Sequence, residues 1–381
     1  MRILLASVED ARDVRAWSGT PFHLAASLRA AGADVVLAGP LGERFGLPLK
    51  VLQRLRNSVA PGTWSRLREP VVLDGYARQV ERAISATSPD VVLAPGTLPV
   101  ARLRTDVPVV TYTDATFAGL VDFYADYTGL SRRYLRMGHA MERSALERVS
   151  LAVYSSAWAA RSAVADYGLP PDKVAVVPFG ANVADPGPLA DRRDDGCRLL
   201  LVGRGWERKG ADLAVATTAR LRSLGVPATL DVVGCRPPSV VAVPGFVTVH
   251  GSLEKDDPQA AARLAELYAS AAFFLLPTRA DCTPVVLAEA QAHGVPVITA
   301  DVGGTASMLA PGRSGWVLPP AEFVDAAAAR IAGAWARPAE HAALRQGARE
   351  FYTSTLNWPS AAQALLTLLR ERVVGTPIAS A

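Results

Sequence analysis

The stretch Phe273-Phe274-Leu275-Leu276-Pro277-Thr278-Arg279-Ala280-Asp281-Cys282-Thr283-Pro284-Val285-Val286-Leu287-Ala288-Glu289-Ala290-Gln291-Ala292-His293-Gly294-Val295-Pro296-Val297-Ile298 carries the reading of the fold. Four apolar residues, Phe273 to Leu276, make a run of strand length. A loop follows. Thr283 has the side chain of a helix N-cap, and Pro284 suits the first helical position because it lacks an N–H that would be orphaned there. Gly294 stands where a helix ends, and Pro296 cannot continue one. The spacing predicts a helix of under three turns between two buried strands. The free N–H groups and the dipole of such a helix favour an anion, such as a phosphate, at its start. Val285 and Glu289 share a face, and Glu289 lies about 9 Å along the axis from the cap. A carboxylate there can accept two hydrogen bonds from a ribose diol. Asp281, ahead of the cap, can accept from sugar hydroxyls, because an ionised carboxylate only accepts and sugars are rich in donors. Taken alone, the segment also reads as a capped amphipathic helix with a solvated Glu289.

Outward from this segment, short apolar runs alternate with longer helical patterns, which argues for parallel sheets with helices on both faces. In the first half strands are expected at Arg2–Ser7, Asp34–Ala38, Asp90–Leu93, Val107–Thr111, Leu151–Tyr154 and Val174–Val177. Helical patterns lie at about Pro21–Ala31, Val71–Thr87, Ser131–Arg148 and Trp158–Tyr167. Asp185–Gly196 breaks the rhythm with two prolines, a glycine and the charge cluster Asp191-Arg192-Arg193-Asp194-Asp195, so it is the expected linker. Strands then resume at Arg198–Val202, Thr229–Val233, Val247–His250, Phe273–Leu276, Pro296–Thr299 and Gly315–Leu318, before a helical tail from about Ala321 to Arg372. Two Rossmann-like halves are expected to leave a cleft, with ligands beyond the carboxyl ends of the strands.

Other motifs fall at those strand ends. Val202-Gly203-Arg204 runs on to Lys209-Gly210, and a cation pair there would neutralise a diphosphate; a solvated helix start is the plainer alternative. Asp301-Val302-Gly303-Gly304-Thr305 carries a glycine pair that permits close backbone approach. Trp17-Ser18-Gly19-Thr20 opens the first long helix. Tyr154-Ser155-Ser156 and Pro178-Phe179-Gly180-Ala181-Asn182 close the first half.

In this order and spacing, the motifs resemble the signature of family 4 retaining glycosyltransferases: two acids separated by seven residues in a frame Pro-Thr, acid, Glu-Ala, Gly-x-Pro-Val. Asp281 stands where the family usually has Glu, and Cys282-Thr283-Pro284 where it usually has glycines. The resemblance implies an α/β, GT-B fold of two Rossmann-like domains facing a central cleft. It implies an acceptor-side domain over 1–185, with a C-terminal helix 357–372 packing back on it, and a donor-binding domain over 196–356. It implies transfer of a sugar, with retention, from a nucleotide-sugar (a UDP- or GDP-sugar) to a hydroxyl-, thiol- or amine-bearing acceptor that is a small molecule, a glycan or lipid-linked. Donor contacts then fall to Gly19, Gly203, Arg204, Lys209, Asp281, Thr283, Val285, Glu289, Gly304 and Thr305, with Arg204, Lys209 and Asp281 also catalytic. An epimerase of the same architecture, or a silent nucleotide-sugar binder, is the competing reading.

Many members carry a His after the fourth or fifth strand. Here Thr113 and Asp114 occupy that place, in Thr113-Asp114-Ala115-Thr116-Phe117. Asp114 is the candidate to orient the acceptor or take its proton; capping the next element is the alternative. The five histidines show no metal spacing and the chain has no Asp-x-Asp. No metal and no cofactor are expected, and Arg204, Lys209 and the helix start would stabilise the leaving group.

Composition narrows the rest. A chain of 381 residues, 50% hydrophobic, suits two domains with real cores. The net charge of +4, without basic clusters interleaved with aromatics, excludes nucleic acid as a partner. Cys197, Cys235 and Cys282 give neither a disulfide framework nor a zinc spacing. The N-terminus lacks a signal-peptide core and no run reaches membrane-span length, so a cytoplasmic location is expected. No Gly-x-Gly-x-x-Gly follows the first strand, which argues against a dinucleotide-dependent oxidoreductase. The basic, partly apolar region Arg44–Arg68 reads as a membrane-surface helix, an acceptor-side loop or a solvated face, with membrane contact the less favoured.

Overall fold

The computed structural model describes residues 1–43, 46–59, 62–189, 196–240 and 242–375. The charge cluster over 191–195 lies outside these. The chain forms two compact units, one of Met1–Pro178 with the segment from Ala361 onward, the other of Phe179–Ser360. Asp185, in the expected linker, pairs with Arg349 at 2.7 Å and accepts the Gly187 N–H.

Unit 1 runs β1 (Arg2–Ala6), α1 (Thr20–Ala30), β2 (Asp34–Ala38), α2 (Gly46–Val59), α3 (Pro70–Thr87), β3 (Val91–Ala94), β4 (Val109–Thr113), α4 (Phe117–Leu120), α5 (Arg132–Arg148), β5 (Leu151–Tyr154), α6 (Ala157–Tyr167) and β6 (Val174–Val176). Unit 2 runs β7 (Arg198–Val202), α7 (Ala211–Ser223), β8 (Thr229–Val233), β9 (Val247–Gly251), α8 (Pro258–Ser270), β10 (Phe273–Leu276), α9 (Val285–Ala292), β11 (Val297–Ala300), β12 (Gly315–Leu318), α10 (Phe323–Trp335) and α11 (Pro338–Ser354). Helix α12 (Trp358–Leu369) carries the chain back into unit 1. The expected helical tail is thus three helices, with Pro338 starting the second and a break at 355–357 before the third.

Both sheets have six parallel strands, in the orders β2-β1-β3-β4-β5-β6 and β12-β11-β10-β7-β8-β9. Burial explains the placement. Strands β3, β4, β5, β10 and β11 are buried at every residue and sit inside the sheets, whereas the edge strands β2, β6, β9 and β12 are partly exposed. Of the strand starts, that of β4 differs most from expectation. β4 starts at Val109 rather than Val107 because Pro108 has no N–H to give the ladder; its carbonyl instead accepts from Val92. Thr113 therefore becomes the last residue of β4.

Each sheet reverses its strand order once, between β1 and β3 in unit 1 and between β7 and β10 in unit 2. In unit 2 the reversal brings the loop after β7 against the loop after β10. Gly210, which caps α7 with φ +71, makes that approach: a Cβ on it would stand 1.9 Å from the Pro277 carbonyl oxygen. Gly225 has a similar φ of +85 but open space around it. Gly225→Ala should therefore cost about 1 kcal/mol for the left-handed backbone alone. Gly210→Ala should cost about 2 kcal/mol more, through the clash. Equal urea midpoints for the two variants would show that the loop contact is not a constraint.

Candidate active site

The site builds up from the carboxyl ends of β7, β8, β9 and β10. Gly203 follows β7, and its missing side chain is what admits Lys209: a Cβ there would lie 2.8 Å from Lys209 Cγ. Gly234, with φ +89, lets the loop after β8 close on Gly203, and its N–H donates to the Gly251 carbonyl at 2.6 Å. The turn over 205–210 is clamped from the other side. Arg279 N donates to the Arg208 carbonyl at 2.8 Å, and the Arg279 guanidinium grips Asp212 with two bonds of 2.8 and 2.7 Å. That grip holds the Asp212 carboxyl below its ordinary range.

This scaffold brings two of the expected residues together. Lys209 Nζ donates to Asp281 Oδ2, and both residues are buried. Lys209 is therefore not a solvated helix-start lysine. Arg208 Nη1 stands 3.9 Å from the same oxygen and bonds the Ala280 carbonyl at 3.0 Å. The glycine pair joins them through the backbone: Gly303 has φ +59, and Gly304 N donates to the Asp281 carbonyl at 3.2 Å. Thr305 is fully buried, its hydroxyl bonding the Ala300 carbonyl at 2.7 Å and accepting from Val302 N. It shapes the loop. Arg204, by contrast, is exposed and reaches both Glu254 oxygens at 3.2 Å, a surface pair of small net worth.

Helix α9 departs from expectation at its start. Thr283 does not cap it; its hydroxyl donates to the Cys282 carbonyl at 2.7 Å, and Pro284 is the N-cap with φ −76 and ψ 92. The extended ψ of Pro284 keeps it outside the helix, so the helix begins one position later, at Val285. Its first-turn N–H groups, Val285 and Val286, have no helical carbonyl ahead of them. The other end is as expected: Gly294 adopts φ +64, Gly294 N bonds Gln291 O and Val295 N bonds Ala290 O, a Schellman closure. Glu289 is fully buried rather than solvated. Lys255 Nζ donates to its Oε1 and the Tyr268 hydroxyl to its Oε2 at 3.1 Å. A ligand reaches this carboxylate only where Lys255, which is partly exposed, yields or shares it.

In unit 1, Trp17, Ser18 and Gly19 all have positive φ before α1, with Gly19 as its N-cap. Asp114 follows β4 and is half-buried. It is not the cap of α4; Thr116 is, accepting from Gly119 N at 3.1 Å. Beneath this strand end lies a buried group that the sequence reading missed. Arg68 sits 4.6 Å from the Phe117 ring and donates to the Tyr134 hydroxyl at 2.8 Å. Glu142 accepts from the Thr97 hydroxyl at 2.7 Å and from the Phe117 backbone, and burial pushes its carboxyl up. Gly138 makes room for Phe117, whose ring a Cβ would meet at 2.2 Å.

Comparisons with known proteins bear on this geometry. Residues 21–185 match the family described as Glycosyltransferase Family 4, and residues 196–336 match Glycosyl transferases group 1. This chain belongs to the family 4, group 1 glycosyltransferases. Its two parallel sheets are those of the GT-B fold. A sucrose-phosphate synthase from Thermosynechococcus elongatus superposes with a TM-score of 0.70 at 19% identity, over 97% of this chain and 98% of the other. The Anabaena protein HepE, solved with UDP and glucose, does so with a TM-score of 0.62 at 16% identity, over 97% and 99%. Among curated relatives, a D-inositol 3-phosphate glycosyltransferase of Acidothermus cellulolyticus is 31% identical over 56% of this chain. The match spans 51% of that relative, about half its length.

Among the described residues, no group of three or more His, Cys, Asp or Glu stands close enough to hold a metal, and no helix is long and apolar enough to cross a membrane. Besides Arg68 and Glu142, sequence reasoning missed Lys255, Tyr268, Glu254 and Arg208. Only Arg208 had a signal, as the neighbour of Lys209.

His293, at the C-cap of α9, stacks on Tyr268 with ring centroids 5.3 Å apart. Burial pushes it down to about 4, against the pull of Glu289. The unfolded chain thus binds the extra proton, and stability falls as pH drops from about 6.5 to about 4. The loss is on the order of 3 kcal/mol at about 1.4 kcal/mol per unit. His293→Phe keeps the stack and removes the ionisation, so its urea stability should fall less than wild type between pH 7 and 4. Parallel pH profiles would refute the assignment.

Proposed function

We propose that this protein is a cytoplasmic glycosyltransferase. It moves a sugar from a UDP- or GDP-sugar to a hydroxyl-, thiol- or amine-bearing acceptor, with retention and without metal. In this reading residues 196–356 bind the donor and 1–185 serve the acceptor. The observation that carries it is the meeting of Lys209 with Asp281 at the strand-order reversal between β7 and β10, where open α/β sheets bind ligands. HepE supports the donor class, having been solved with UDP and glucose.

The roles follow from the charges. In the transfer the bond from the anomeric carbon to the diphosphate oxygen breaks and a bond to the acceptor's oxygen, sulfur or nitrogen forms, while the acceptor's proton leaves to a base. Negative charge grows on the departing diphosphate. Arg204, exposed and loosely held by Glu254, exchanges that partner for the diphosphate, and Lys209 shares its ammonium between Asp281 and the phosphate. Val285 and Val286, at the start of α9, present N–H groups to the same charge. Gly203, Gly304 and Gly19 let backbone approach the donor, with Thr283 and Thr305 holding the loops that line it. Asp281 takes sugar hydroxyls, and Glu289 takes the ribose diol as Lys255 yields.

A thermal-shift series with UDP-, GDP-, ADP- and dTDP-sugars tests the donor class, since saturating ligand stabilises by a few kcal/mol, about 2.7 at 100 times Kd. One diphosphate series should raise Tm, and Glu289→Gln should abolish the shift while keeping the fold. Lys209→Ala and Arg204→Ala should each lower turnover at least ~10²-fold, with EDTA without effect. A Tm unmoved by every nucleotide-sugar would sink the reading. Turnover of the donor to its epimer without acceptor would replace it with an epimerase, and donor binding without any turnover would replace it with a silent binder.

Asp114 is assigned to the acceptor. Asp114 directly follows β4, at the carboxyl end of a parallel strand where such sheets bind ligands, and Thr116 rather than Asp114 caps α4. The carboxylate accepts the hydrogen bond of the incoming group and stabilises positive charge on the sugar ring, both mainly in the transition state. Asp114→Asn should bind donor within a few-fold of wild type yet lower kcat at least ~10²-fold, in the range typical of general bases. Near-normal kcat on the true acceptor would return Asp114 to a structural role, with the proton leaving to the donor phosphate.

A further inference from the structure

Glu142 stands where a side chain without charge would be expected. Helix α5 buries a stripe of Tyr134, Gly138, Met141, Glu142, Ala145 and Leu146, and on such a stripe apolar residues are the norm. Glu142 is 1% exposed. Its Oε2 accepts from the Thr97 hydroxyl at 2.7 Å, a neutral donor and not a cation. The Phe117 backbone N–H also acts on the carboxylate, while Oε1 is buried without a full hydrogen bond. A buried carboxylate is costly to desolvate, and a leucine of similar size would avoid that cost. Stability alone does not account for an acid at this position.

What a carboxylate does here, and a leucine cannot, is join two loops. Thr97 belongs to the loop after β3, and Phe117 follows β4 as the first residue of α4. These strands are parallel neighbours, with Ala94 opposite Thr111, so both segments leave side by side from the end of the sheet where ligands bind. Helix α5 also grips the Phe117 ring. Gly138, one turn before Glu142, gives the ring its room. His139 meets the ring edge-on with centroids 5.1 Å apart, and Arg68 covers it at 4.6 Å. Asp114 lies three residues before Phe117. Between them Ala115 and Thr116 are buried, and the Thr116 hydroxyl is fastened to that of Ser162 at 2.6 Å. The backbone over 114–117 is thus held as one piece, and a shift of Phe117 carries Asp114 with it. We infer that Glu142 is a positioning residue of the acceptor site: holding the Thr97 hydroxyl and the Phe117 N–H on one carboxylate, it sets where Asp114 stands. This rests on the assignment of Asp114 to the acceptor.

The test compares Glu142→Leu, Glu142→Gln and Thr97→Val with Asp114→Asn in the full chain. Without any ligand, hydrogen exchange over residues 114–120 should rise at least ~10-fold in Glu142→Leu, while residues 285–292 of unit 2 exchange as in wild type. The kinetic probe is UDP-glucose or GDP-mannose, whichever raises Tm, with water in the acceptor's place. Glu142→Leu should keep donor Kd within a few-fold of wild type and lower kcat for hydrolysis at least ~10-fold, because a small misplacement of a reacting group is costly in rate. Glu142→Gln keeps a carbonyl acceptor and should recover kcat to within about threefold of wild type. Glu142→Leu combined with Asp114→Asn should be no slower than Asp114→Asn alone, since Glu142 acts through Asp114. Thr97→Val should lower kcat about fivefold, the scale of one net hydrogen bond, and it decides the matter if Glu142→Leu does not fold. Exchange raised throughout the chain, a Gln variant as slow as the Leu variant, slowing that multiplies in the double variant, or a normal rate in Thr97→Val would each overturn the inference. Normal hydrolysis in Glu142→Leu beside a slow Asp114→Asn is a failure of this inference alone. Wild type that hydrolyses no nucleotide-sugar is a failure of the transferase reading, and a normal rate in Asp114→Asn removes Asp114 from the chemistry and this role of Glu142 with it.

Discussion

Unit 2 depends on one close approach, that of the Gly210 backbone to the carbonyl of Pro277. Any side chain at 210 would hold the two loops apart, and the pairing of Lys209 with Asp281 across them needs their being together. With the loops in contact, Arg279 N donates to the Arg208 carbonyl, Thr278 bonds the same carbonyl at 3.0 Å, and Lys209 is left pointing at Asp281. Gly203 then supplies the channel along which the lysine stem runs. A buried ion pair is costly to assemble, because both partners lose water. The desolvation is offset here by a backbone already held in place by strand β7 on one side and β10 on the other.

How much of this was legible in the sequence follows from what each residue contacts. The strands were readable because each buried run is contiguous: Phe273 to Leu276 are all apolar, and a run of that kind has few other places to go. The start of β4 was misplaced because Val107 and Val109 look alike in a hydrophobic run, while the absence of a hydrogen at Pro108 matters only once there is a neighbouring strand. Thr283 was misread for a related reason. A Thr-Pro pair is a good local cap signal, but the loop it ends is held by Gly304 N on the Asp281 carbonyl, and the proline carries the cap instead.

The candidate site was half legible. Asp281, Lys209 and Arg204 stand in motifs whose spacing is set by the turn that holds them, so reading the turn finds the residues. Lys255 and Tyr268 lie in a loop and a helix 34 and 21 residues before Glu289. Nothing local marks them, because they are defined by contact with a carboxylate whose burial the local pattern does not show. The same holds in unit 1, where Arg68 comes 49 residues before the ring it covers and Glu142 works through Thr97. A buried charge selects its partner in space, and periodicity does not carry that information.

The site's anions therefore arrive already matched: Asp281 with Lys209, Glu289 with Lys255, Glu254 with Arg204. In water these three pairs would differ little. In the protein they differ by burial, and burial sets which can be exchanged. Arg204 and Glu254 keep their hydration, so parting them costs about 1 kcal/mol or less. Lys209 and Asp281 are both buried, so separation without replacement would strand two charges. Glu289 and Lys255 are intermediate, since one partner is fully buried and the other keeps contact with solvent. A polyanionic ligand entering such a site takes the exposed arginine first. It can then draw Lys255 aside only by giving Glu289 new donors, and it must share Lys209 rather than capture it. That gradient favours a ligand that brings an anion and hydroxyl donors on one frame, and it leaves the carboxylates unmoved as fixed acceptors when an anion alone is offered.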